Sequence, residues 1–130
     1  MAKIEAINGG GGGNNTGGFV KADLNNRLYS SVGDGSGTTT TLSEDGVLLG
    51  RLYAAPTSTD ANYRINITLP SSQNTQIKIT GSGNSTSPKD IQLKIGSTNY
   101  GIFLPSGTKI RGYVRSMNAS SSLNVYKPLN

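Results

Sequence analysis

The chain has 130 residues, a formal charge of +5 from 12 basic and 7 acidic side chains, and no cysteine, histidine or tryptophan. That length suits one domain with a modest core. The missing residue types exclude disulfides, thiolate metal sites, His-activated nucleophiles and most zinc or iron chemistry. Core-building residues are scarce: Leu, Ile, Val and Phe make up about 22% of the chain, close to the ~20% at which chains stop folding.

Residues 1–46 read as an N-terminal arm and loops, and they hold 11 of the 18 glycines. The run from Gly9 to Gly18, GGGGGNNTGG, has almost no side chain to repay the entropy of ordering. Extended, it reaches at most about 33–36 Å, enough to cross from one subunit to the next. Ile4, Ile7, Phe19 and Val20 flank it, and they are expected to anchor the arm on a neighbouring subunit or a partner. Leu28 and Tyr29 follow, and then a second flexible stretch, Gly33 to Thr41. The alternative for this third of the chain is a first strand or two joined by long loops. No apolar region follows Met1–Ile7 as in a secretory signal, and no apolar run approaches the ~18 residues of a membrane span. Assembly in a cytoplasm, without a membrane, is expected.

Residues 47–130 carry a period of two. Val47–Tyr53 opens the series. Tyr63, Ile65, Ile67 and Leu69 then alternate with Arg64, Asn66 and Thr68, as on a half-buried strand. Ile77 and Ile79 repeat the pattern, followed by Ile91, Leu93 and Ile95, then Tyr100–Leu104, Thr108–Arg115 and Ser122–Lys127. Turn chemistry separates them at Pro70-Ser71-Ser72, Gly81-Ser82-Gly83-Asn84 and Pro105-Ser106-Gly107. No segment carries apolar residues at helical spacing. The fold class is all-β: a single antiparallel β-sandwich or small barrel, jelly-roll- or Greek-key-like, with a flexible Gly-rich N-terminal arm.

Catalytic chemistry has little to work with. Asp34, Glu44, Asp45 and Asp60 sit in loop-like polar sequence and read as solvated charges, not as a general acid/base pair. The glycine run lacks the Gly-Lys-Ser/Thr that closes a phosphate loop. No enzyme activity, cofactor or metal is expected. A carbohydrate-binding face would normally show aromatic platforms, but the chain has no tryptophan, and its tyrosines, at 29, 53, 63, 100, 113 and 126, are spread over five segments. An extracellular carbohydrate-binding module is kept as an alternative with little in the sequence to support it.

One surface signal is concentrated. Residues 66–130 carry seven basic side chains and a single acid, Asp90. Within them, TKIRGYVR places Lys109, Arg111, Tyr113 and Arg115 on one face of a strand and Ile110, Gly112 and Val114 on the other. Such a row attracts a carboxylate-rich surface, or it is an ordinary solvent face whose charges block aggregation. Single-stranded nucleic acid would need a second aromatic-basic strand, and none accompanies it, so nucleic acid is not the expected partner.

A Cys-free, His-free small β domain rich in Gly, Ser, Thr and Asn, with a glycine-rich leader, resembles the small virion proteins of tailed bacteriophages. It is most similar to head decoration, or cement, proteins. The stretch GIFLPSGTKI, Gly101 to Ile110, looks like strand-turn-strand segments of phage structural proteins. The resemblance implies a non-enzymatic homo-oligomer, a trimer above all, on the outer surface of a capsid, with the major capsid protein as partner. It also implies an arm that orders on the shell. A phage tail or fibre component is the nearest alternative.

Overall fold

The computed structural model describes residues 2–4, 19–81, 86 and 89–129. Among them are eleven strands and no helix. They are β1 (Ala2–Ile4), β2 (Phe19–Tyr29), β3 (Thr39–Thr41), β4 (Gly46–Pro56), β5 (Asn62–Thr68), β6 (Asn74–Thr80), β7 (Ile91–Ile95), β8 (Tyr100–Leu104), β9 (Lys109–Arg115), β10 (Met117–Ser121) and β11 (Asn124–Pro128). All pairings are antiparallel and form two packed sheets. One sheet runs β1-β6-β5-β9-β3; the other runs β10-β4-β11-β2-β8, with β7 also on β4. The architecture is a β-sandwich.

Strand β4 explains the shape of the second sheet. Its first half, up to Leu49, pairs β8 and β11, and its second half, from Gly50 onward, pairs β7 and β10. The change falls at Gly50, whose φ is +138°. A Cβ there would overlap the Ser122 carbonyl oxygen, so only glycine allows the crossing. Because β8 also pairs β2, and β2 pairs β11, the strands β4, β11, β2 and β8 close a small ring. Val47 and Leu49 point into it, with Ala22 and the partly buried Val20 and Tyr126.

The main core lies between the sheets. Tyr63, Ile65, Ile67, Ile77, Ile79 and Ile110 come from the five-stranded sheet, Leu48, Leu52, Ile95, Leu104 and Val125 from the other, and Leu123 from the link between β10 and β11. Each such aliphatic side chain contributes about 1.5–3 kcal/mol on burial. The alternation read in the sequence is the burial pattern of β5, where Tyr63, Ile65 and Ile67 are buried and Asn62, Arg64, Asn66 and Thr68 face outward.

The described part of the expected arm, residues 19–46, is built into the sandwich instead. Strand β2 sits between β8 and β11, and Ala22, Val32 and Leu42 are buried. Nor is the stretch from Gly33 a free loop. Gly33 lies over Gly112 of β9 so closely that a Cβ on Gly112 would overlap the Gly33 carbonyl. That carbonyl also accepts the buried Tyr63 hydroxyl at 2.6 Å, and burial pushes the Tyr63 phenol pKa well up. Glycine serves here by lacking a side chain, which composition alone reads as flexibility. The sandwich therefore takes in β2 and β3 well before Val47, and β1 adds a short strand to the edge of β6.

Candidate functional site: a cationic sheet face

The outer face of the five-stranded sheet follows from register. In the pairing of β5 with β9, Arg64 stands opposite Tyr113, Asn66 opposite Arg111, Asn62 opposite Arg115 and Thr68 opposite Lys109. In the pairing of β5 with β6, Arg64 stands opposite Lys78 and Asn66 opposite Gln76. Lys3 of β1 is at the register position opposite Lys78. Five cations, Arg64, Lys78, Lys109, Arg111 and Arg115, thus share one face with Tyr113, and the other outward positions of β5, β6 and β9 hold Asn, Gln and Thr.

Tyr113 organises the centre. The guanidinium carbons of Arg64 and Arg111 each lie 5.2 Å from its ring centroid, within cation–π range. Tyr113 itself stays 36% exposed. Each guanidinium is attracted by the ring quadrupole, which offsets part of the repulsion among the cations of this face. Beside them, Arg64 Nε and Asn66 Oδ1 are covered by their neighbours and have no hydrogen-bond partner among the described residues.

The border of the face carries the acid. Asp60, in the turn before β5, pairs with Arg115 at 3.0 Å and accepts a hydrogen bond from the Ser58 hydroxyl. That hydroxyl, and then the Arg115 charge, hold the Asp60 carboxyl below its ordinary 3.8. Asp34 is also lowered, chiefly by the Ser36 backbone N–H at 2.9 Å, a local turn bond. Among the described residues, no three His, Cys, Asp or Glu side chains stand together to hold a metal.

The expected site residues separate into two groups. Lys109, Arg111, Tyr113 and Arg115 do share one exposed strand face. The sequence reading missed Arg64 and Lys78, although strand alternation already put both outward; what it lacked was that β6, β5 and β9 are neighbours. The described arm anchors take separate places. Ile4 lies in β1 opposite Ile77, Val20 packs into the ring core, and Phe19 is 60% exposed at the start of β2. Ile7 and the run from Gly9 to Gly18 lie outside the described residues.

No protein-family model matches this chain, and no curated protein or solved structure matches it either.

Proposed function

We propose that this is a non-enzymatic structural protein of a virus particle, which binds the outer capsid surface through the cationic face of its five-stranded sheet and cements the shell. Its partner is the acidic surface of the major capsid protein, and it acts as a homo-oligomer, a trimer by family resemblance. The observation that carries the reading is the face itself: five cations and one tyrosine at fixed strand positions, with no carboxylate on the outward positions of β5, β6 and β9.

A cationic sheet steers an acidic partner into register, and its hydrogen-bonded strands lose little backbone freedom on docking. Protein is favoured over single-stranded nucleic acid because the outward positions of β5, β6 and β9 hold one aromatic ring, already in contact with two arginines.

Co-sedimentation with purified tailed-phage capsids at about 0.15 M salt tests the reading, because exposed charges stay effective over about 8 Å there. The wild-type protein is expected to occupy the particles. The variant Lys109→Glu/Arg111→Glu/Arg115→Glu is expected to lose at least about tenfold in affinity. Wild-type protein that stays in the supernatant, or that binds single-stranded DNA in preference to capsids, refutes it.

A further inference from the structure

The second sheet presents a different surface. On the outer side of β7, β4 and β10, pairing sets Gln92, Tyr53 and Ser120 in one row across the three strands. In the next row Ala55 stands beside Asn118, and Asp90 immediately precedes β7. Ala55 projects only a methyl group where its neighbours project longer side chains. The result is a groove of about 350 Å³ lined by Tyr53, Ala55, Asp90, Gln92, Asn118 and Ser120 among others.

The chemistry of that groove is specific in kind. The Tyr53 ring is 36% exposed and, with Ala55, gives an apolar wall. Asp90 only accepts hydrogen bonds, while Asn118 and Ser120 can both donate and accept. Arg51 Nη1 donates to the Gln92 side-chain oxygen at 3.3 Å, which leaves the Gln92 amide N–H groups for another partner. An anion would meet Asp90. A bare cation would find one carboxylate, no second acid and the Arg51 guanidinium beside Gln92. A ligand with an apolar C–H face and a ring of hydroxyl groups meets every part of the surface, because each hydroxyl both donates and accepts.

We propose that this groove is a binding subsite for an uncharged saccharide, with Tyr53 as the platform and Asp90, Gln92 and Asn118 as the hydroxyl-binding groups. Arg51 is a positioning residue that orients Gln92. The volume is at the small end of the roughly 300–1,000 Å³ of ligand pockets, which suits a terminal sugar and not a long chain. The inference stands apart from the capsid-binding reading, since it uses the opposite sheet and no residue of the cationic face.

The experiment is an NMR titration of the full-length protein with lactose, maltotriose, mannotriose and triacetylchitotriose. At least one of the four should shift the amides of Tyr53, Ala55 and Asn118, with a Kd on the order of 0.1–10 mM. Tyr53→Ala should abolish the effect. Asp90→Ala, which changes an exposed residue outside the strands, should weaken binding at least about tenfold and guards against a folding defect in the first variant. Lys109→Glu/Arg111→Glu/Arg115→Glu should leave it unchanged. Heparin, a polyanionic sugar, should instead shift Arg64 and Arg111. The proposal is overturned if none of the four neutral sugars shifts the groove residues, if the shifts lie elsewhere, or if they survive both groove substitutions.

Discussion

On the outer side of β6, β5 and β9, five cations surround a tyrosine that two arginines clasp, and no strand position carries an acid. On the outer side of β7, β4 and β10, Tyr53 stands among an amide, a hydroxyl and one carboxylate, beside the small Ala55. Both faces are made the same way, by alternate residues of three neighbouring antiparallel strands. Their difference comes entirely from which side chains the register brings side by side. A filled row of long basic residues gives a charged plane, whereas a row interrupted by alanine gives a hollow. One fold can therefore carry a cationic plane and a groove with a single carboxylate without either disturbing the other.

The largest effect is expected where the two sides share a foundation. Gly50 lets β4 pass from the ring to the groove sheet, and it sits at φ +138° against the Ser122 backbone. Gly50→Val should remove at least about 3 kcal/mol, a large part of the 5–15 kcal/mol typical of a domain. Chemical denaturation measures it. Loss of capsid binding and of any groove ligand should follow together, because the sheets separate as one unit.

Gly112→Ala should break the symmetry between the faces. The new methyl would press on the Gly33 carbonyl beneath β9 and displace the strand that bears Lys109, Arg111 and Arg115. The cost should be about 1–3 kcal/mol, as for overpacking elsewhere. Binding through the cationic face should weaken while the groove amides keep their resonances. Equal disturbance of both faces would show that the sandwich transmits strain across its core.

Tyr113→Leu sharpens the comparison at a smaller scale. It keeps an apolar side chain over the strand but removes both guanidinium–ring contacts, each worth about 0.5–1 kcal/mol at exposed sites. A loss of about 1–2 kcal/mol in thermal unfolding, largely restored in Tyr113→Phe, would assign the effect to the ring and not to its hydroxyl.

The sequence carried the local half of this picture. Alternation from Tyr63 to Thr68 showed which residues of β5 are buried, and TKIRGYVR showed a basic strand face. Adjacency was not written locally. Arg64, Lys78 and Arg111 are far apart in the chain and meet only because β6, β5 and β9 are neighbours. Strand β2 was hidden for a related reason: of its eleven residues only Ala22 is buried, so it shows no alternation to read. The stretch from Gly33 failed in the opposite sense. Gly33 and Gly35 mark close approach to Ile65 and Val114, and nothing in a list of glycines distinguishes that from a tether. The groove could not be anticipated either, since Tyr53, Asp90 and Asn118 come from three strands or loops joined only by pairing.

The smallest effect concerns the border of the cationic face. Asp60 neutralises Arg115 at 3.0 Å, so Asp60→Asn adds one net positive charge to the docking plane. Affinity for an acidic partner should rise, by about two- to threefold at most for so exposed a pair, and should fall more steeply with salt. The pH dependence gives the sign. The Asp60 carboxyl is held below 3.8, first by the Ser58 hydroxyl and then by Arg115. A carboxylate depressed by folding keeps its pair above its unfolded value and loses it as pH falls through the lower folded one. From about pH 5 to 8 the wild type and Asp60→Asn should therefore differ by a constant factor. Below 3.8 the difference should shrink, because protonation of Asp60 then does what the substitution did. Titration of capsid binding for the two proteins, over the acid range in which the particles stay intact, measures the convergence. A difference that persists unchanged to the lowest pH would mean that Asp60 acts through its shape and not through its charge.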